Sequence, residues 1–193
     1  VAGTNAGDSF TGTDATGNTL IGKDAGTAIT TADNNIAVGL NALKANTTGS
    51  TNVSVGPYAL NTNTTGSSNV AMGYNSLGSA AASDNTAIGH NTLASTTGTN
   101  NTAVGKSALQ SNTTGTDNTA TGKGALDANT TGAENTGVGV GALGANTTAS
   151  GNTAVGNLAL GVNSTGSANV AVGGNSLDAN TTGSDNVACG YGA

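Results

Sequence analysis

The chain has 193 residues, enough for one domain, with no Trp, one Phe, three Tyr and only 35% hydrophobic residues, much of that Ala. This excludes an ordinary aromatic-rich core, and 32 Gly would usually predict disorder, yet only 7% of the residues are charged and there is a single Pro. The net charge of −6, from 4 basic and 10 acidic residues, leaves no basic stripe for nucleic acid, and no apolar run approaches the roughly 18 residues of a membrane span.

Taken in order, the chain is one phrase repeated. Copies open at Val1, Asn18, Asn35, Asn52, Asn69, Asn85, Asn101, Asn118, Asn135, Asn152, Asn169 and Asn186, 17 residues apart except for two steps of 16, from Asn69 to Asn85 and from Asn85 to Asn101. A fixed period marks a repeat architecture. Residues 1–193 therefore read as a single repeat domain: a degenerate first copy over 1–17, with Phe10 at the usual Leu-Xaa junction, repeats over 18–185, and the start of another over 186–193. The pattern begins and stops within a copy, so a piece of a longer, or processed, polypeptide is expected. Both 16-residue copies lose their residue in the second half, which predicts a loop there that tolerates deletion.

Within a copy, position two is β-branched from Thr19 to Val187, position three is Ala in most copies, and position four is aliphatic or small. Positions two to four predict a short strand, because β-branched residues suit it, with two and four on one face and three on the other. Position five is Gly throughout the repeats; at Gly39, Gly56, Gly73, Gly105, Gly156 and Gly173 it predicts a tight turn needing positive φ or close backbone approach. A second short strand is expected at positions seven to nine, returning Leu to the interior, followed by an Asn-Thr-Thr-Gly turn. Frequent Gly and β-branched residues make a helix a poor reading.

One copy cannot bury its own Val and Leu, but stacked copies can bury them in a column, which is the logic of a solenoid. The expected fold is all-β, a parallel β-solenoid (β-roll) with one coil per 17 residues; eleven and a half coils at about 4.8 Å each would make a rod of roughly 55 Å. The predicted core is Val38, Leu43, Val55, Leu60, Val104, Leu109, Val155, Leu160, Val172 and Leu177. Ala37, Ala71, Ala87, Ala103, Ala120, Ala154 and Ala171 lie on the opposite strand face and are assigned to contacts between chains. The strand itself allows either face to be the coil interior. Few aliphatic side chains per coil stand against about 1–2 kcal/mol of backbone entropy per residue, so more than one chain is expected. The opening Asn column, one amide per coil, predicts a hydrogen-bonded amide ladder. A second column, Asn46, Asn63, Asn112, Asn129, Asn146, Asn163 and Asn180, breaks in the irregular copies.

The units Asn69–Gly73 (NVAMG), Asn85–Gly89 (NTAIG) and Asn169–Gly173 (NVAVG) resemble the head repeats of YadA-like trimeric autotransporter adhesins, and the longer NTAVGxxALxxNTTG resembles repeats of bacterial surface proteins and phage-type tail fibres. The resemblance covers essentially the whole chain, least well 1–17. It implies a left-handed parallel β-roll in which three chains form a homotrimeric fibre on a cell or virion. The chain departs from the adhesins in its 17-residue period, against about 14, and in showing no stalk, anchor or chaperone-like domain.

Candidate chemistry is sparse. His90, the only His, stands in a turn with no placed acid or nucleophile and reads as an exposed turn residue. Cys189, at the Val position, reads as a small buried hydrophobe; being alone, it cannot form an internal disulfide. Asp33, Asp84, Asp117, Glu134 and Asp185 close their copies and could line one edge for Ca²⁺, but alternate copies lack them and solvated turns are the simpler reading. No GxxxxGK[ST] phosphate loop is present. Asn-Xaa-Thr triplets read as turn chemistry rather than used sequons.

Repetition argues against catalysis, which needs one unique constellation. The expected function is that of a non-enzymatic extracellular fibre module, a surface filament, adhesin head or tail-fibre shaft, that needs no cofactor or metal. Its partners are further copies of itself, as a homotrimer or longer filament, and a cell-surface, matrix or glycan receptor. The alternative is an ice-binding solenoid using Thr and Asn columns, weakened because Thr47-Thr48 and their kin are adjacent rather than alternating. A carbohydrate-active β-helix would need paired carboxylates in a cleft, and the acids here are scattered.

Overall fold

A computed structural model describes residues 2–9, 15–78 and 82–193. Eleven three-residue strands recur once per copy: β1 Thr19–Ile21, β2 Ile36–Val38, β3 Val53–Val55, β4 Val70–Met72, β5 Thr86–Ile88, β6 Thr102–Val104, β7 Thr119–Thr121, β8 Thr136–Val138, β9 Thr153–Val155, β10 Val170–Val172 and β11 Val187–Cys189. They form one parallel sheet in sequence order, every strand paired with the next at the same repeat position, as Thr102 with Thr119 and Ala103 with Ala120. This is the parallel β-solenoid with a 17-residue period.

The strand faces settle which side is interior. Ala37, Ala71, Ala87, Ala103, Ala120, Ala154 and Ala171 are fully buried inside the coils, where they join Leu43, Leu60, Leu109 and Leu160 in one core. The assignment of this Ala column to contacts between chains is therefore corrected. So is the assignment of Val38, Val55, Val104, Val155 and Val172 to the core: Val38, Val55 and Val104 are half-buried, while Val155 and Val172 are exposed. The reason is volume. A coil of 17 residues encloses a narrow section, which in the copy opening at Asn101 holds Asn101, Ala103, Ala108, Leu109 and Asn112. Only a methyl, or in β3 the small hydroxymethyl of Ser54, fits on the sheet wall opposite Leu. Leu177, near the end of the stack, is packed against the core but only partly buried.

Positions seven to nine do not form the expected second strand. They are a run of turns in which residues of left-handed conformation alternate with ordinary ones: Gly105 (φ 131°), Ser107 (φ 59°) and Leu109 (φ 50°). Such alternation curls the chain through the corner in few residues, which an extended strand cannot do. Bonds between coils continue around the arc all the same: Leu109 N–H donates to Ala125 O at 3.0 Å and Thr113 N–H to Thr130 O at 2.8 Å. At position five both sequence-based reasons for glycine hold. Gly105 has a φ only glycine adopts freely, and a Cβ on it would lie 2.6 Å from Gly122 O in the next coil.

Two copies depart instructively. In the coil opening at Asn18, Gly26 replaces Leu at position nine, and Leu20 and Ile29, both fully buried, fill the space from positions three and twelve. In the first copy, Gly3 stacks on Gly22 and Ala2 pairs with Ile21, so the copy is two residues out of the register in which Val1 opens it. Val1 and Phe10 themselves lie outside the described residues. Of the two deletions, the later is at position fourteen, since Thr97 bonds to Thr113 and Gly98 stacks on Gly115; the earlier lies between Gly78 and Ala82, where 79–81 are outside the described residues.

Candidate functional site: an outward sheet face with charged edges

The interior polar groups are spent on the fold. The opening Asn column, fully buried from Asn35 to Asn169, forms the amide ladder: Asn118 donates Nδ2–H to Asn101 Oδ1 at 3.1 Å, and Asn118 Oδ1 accepts the Asn135 N–H at 3.0 Å. The second Asn column is equally buried from Asn46 to Asn163 and converges on the same acceptor. Asn118 Nδ2 and Asn129 Nδ2 each donate to Gly132 O at 2.9 Å, and Asn129 also donates to Asn112 Oδ1. Where the second Asn is missing, buried Thr96 replaces it and accepts from Asn112 Nδ2. Among the described residues, only Asn41 Oδ1 is a buried side-chain polar atom without a partner.

The Thr column at position thirteen is also committed. Thr47 Oγ1 donates to Thr64 O, Thr113 Oγ1 to Thr130 O and Thr130 Oγ1 to Thr147 O, each along the stack. The Asn columns singled out from the sequence are thus internal glue, whereas Thr at position thirteen ties neighbouring coils together at the surface and Thr48, Thr65, Thr114 and Thr131 at position fourteen are exposed.

What remains open is the outer face of the sheet, made by positions two and four. It carries Ile21, Ile36, Met72, Ile88, Val138, Val155, Val170 and Val172 among its exposed residues, with Thr86, Thr102, Thr119, Thr136 and Thr153 at position two of five successive coils. Sequence reasoning missed this face because it placed Val inside. Cys189, taken for a buried hydrophobe, is at the same outward position in β11 and is exposed. Ala103 and Ala120, in contrast, cannot reach it.

The two long edges of this face differ in charge. Position six, just past the strands, carries Lys23, His90, Lys106 and Lys123, three of the four basic residues and the only His, together with Leu40, Pro57, Tyr74 and Tyr191. Tyr74 stacks on His90 (centroids 5.2 Å apart) and meets Tyr58 edge-on at 5.8 Å. The last position of a copy, just before the strands, carries Asp84, Asp117, Glu134 and Asp185, all exposed. Asp33 is one place earlier and accepts from Thr16 N and Oγ1. Asp117 accepts from Asn100 Nδ2 at 3.2 Å.

His90 therefore stands in an exposed turn, stacked on the Tyr74 ring. Among the described residues no three of His, Cys, Asp and Glu gather as metal ligands, and no pocket is present. Away from the face, Asp127 has its carboxyl pushed up by desolvation, only partly offset by hydrogen bonds from the Ala128 and Asp127 backbone. The arrangement provides a long apolar contact strip with a basic and an acidic margin. Comparison with protein-family models, curated proteins and solved structures finds no match for this chain.

Proposed function

We propose that the chain is a non-enzymatic fibre module, an extracellular spacer or adhesive shaft on a cell or virion that carries a binding surface away from its base. The observation that carries this reading is the uniformity of the stack. The same two amides and one backbone carbonyl close the coils opening at Asn52, Asn101, Asn118, Asn135, Asn152 and Asn169, and the opening amide alone does so in those opening at Asn69 and Asn85, so function scales with length rather than residing in one constellation. The resemblance of its NTAVG-type units to adhesin-head and tail-fibre repeats supports the same reading, and with it a left-handed coil, assembly of several chains, and a cell-surface, matrix or glycan receptor.

The test is to add or remove whole repeats. Particle length in electron micrographs should change by about 4.8 Å per 17 residues, and adhesion to cells or glycan arrays should change in step. A length independent of repeat number would sink the reading.

One observation favours a second reading. The five successive outward Thr of β5 to β9 make one regular rank along the stack, joined by a second outward Thr only at Thr121 in β7, and a rank of this kind favours an ice-binding solenoid. Thermal hysteresis measured on the intact chain, lost in Thr119→Lys, would support it; freezing-point behaviour equal to that of an unrelated protein would not.

A further inference from the structure

We infer that the outward sheet face is covered by a second copy of this chain, packed face to face with both stacks running parallel and in register about a two-fold axis along the stack. The inference rests on the rod reading for its geometry only. Three observations lead to it: the apolar strip, its size, and the order of charge along its margins.

The strip has large apolar side chains well exposed, Ile21 at 47%, Ile36 at 41% and Met72 at 42% among them, and exposed apolar area this continuous marks a contact surface. Eleven strands at ~4.8 Å spacing make it about 48 Å long, and with its margins it is roughly 17 Å wide, close to the ~800 Å² per partner of a standard interface. One open face of this kind is satisfied by one partner.

The margins choose the orientation. Half a turn about an axis along the stack brings the position-six edge of one copy opposite the acidic edge of the other, at the same level. At the level of β7, Lys123 then faces the other copy's Asp117; at β5, His90 faces Asp84; Lys106, on β6, is one coil from Asp117. Reversing one copy at full overlap would instead put Lys106 against Lys106 at the centre, Lys123 against His90, and Asp84 against Asp117. Like charges placed together penalise that arrangement, so the order of residues along the two edges specifies the parallel one.

Light scattering or sedimentation at low salt should give twice the 18.0 kDa chain mass. Lys123→Glu and Asp117→Lys should each weaken association about tenfold, since each replaces two opposite-charge contacts per dimer with like-charge ones. Mixing the two variants, or combining them in one chain, should restore it, while circular dichroism remains that of the unmodified chain. Cys189 reports the orientation, because a short bismaleimide should join the two copies through this residue in the parallel dimer; in the reversed one the thiols would be about 48 Å apart. A monomer of rod length would overturn the inference and leave the fibre-module reading standing, and a monomer with thermal hysteresis would assign the face to ice. A three-chain mass would overturn the two-fold arrangement. A dimer indifferent to the charge reversals, or one that does not cross-link, would overturn its register.

Discussion

At the scale of single residues, the fold depends on side chains doing what their type seldom does. Leu at position nine is left-handed in every copy that has it, from Leu43 (φ 54°) to Leu177 (φ 51°), at a cost of about 1–2 kcal/mol each. Burying the side chain, worth about 1.5–3 kcal/mol, offsets that cost. Leu109→Ala keeps the strained backbone and loses the burial, so it should cost about 2–5 kcal/mol in denaturant melts. Asn118→Ala removes the donor to Gly132 O and leaves the Asn135 N–H without its acceptor. We expect a loss of about 2–3 kcal/mol, read as a fall in Tm on the order of 5–10 °C. Asp127 is perturbed in the opposite sense to a stabilising carboxylate. Burial raises its pKa in the fold above the unfolded value, so its protonated form is the one the fold favours. Its contribution is most favourable below the unfolded carboxyl pKa and is lost as pH rises through the folded one. Asp127→Asn should therefore be the more stable protein at neutral pH, and the difference should vanish on acidification through the carboxylate range. Equal stability at both pH values would show that the burial carries no penalty.

At the scale of the coil, what is conserved from copy to copy is a filled cross-section more than any one residue. The coil opening at Asn18 gives up Leu at nine and Asn at twelve, and Leu20 with Ile29 restores the volume. A Cβ on Gly26 would lie 2.8–2.9 Å from the methyls of both. Gly26→Leu alone should overpack and destabilise by about 1–3 kcal/mol, and should be tolerated once Leu20→Ala and Ile29→Asn are added, giving the ordinary coil. Thermal melts of the single and triple variants check this; a triple variant no better than the single one would refute the volume argument. The arc at seven to nine belongs to the same scale. Its residues ladder to the next coil without being extended, so a strand was expected from their inward Leu while the backbone makes a corner.

At the scale of the whole stack, coils contact only their neighbours through the sheet and the two amide ladders, so whole repeats should be removable. Deleting Asn118–Glu134 places Asn135 on Asn101 with every ladder bond available. We expect a folded, shorter protein with strand-type circular dichroism and a lowered Tm. Deleting eight residues within the same copy would slip position three out of the interior and should abolish folding. Similar behaviour of the two deletions would argue against coil-by-coil construction.

Much of this was legible in the sequence. The 17-residue period, the parallel strand at positions two to four, the glycine turn, the buried Leu column and the Asn ladder all follow from residue type at fixed spacing. Those are local requirements, repeated until no other reading fits. A weaker local signal was also present: Gly26 at position nine stands where other copies have Leu, and position seven is Gly124 or Gly141 where other copies have mostly Asn or Asp, a hint of positive φ there. The direction of the strand did not follow. Alternation separates Val104 from Ala103 but is symmetric between inside and outside, and hydrophobicity alone favours the larger side chain for the core. Only the closed coil shows that its cross-section, already holding Leu109 and two amides, has room for Ala and none for Val. That same closure spends the Asn columns inside and puts the Val, Ile and outward Thr ranks, with their acidic and basic margins, on the surface. The sequence thus determined the repeating unit, because its rules act within one coil; the tertiary structure decided which face the protein presents, because that depends on the volume enclosed when the coil shuts.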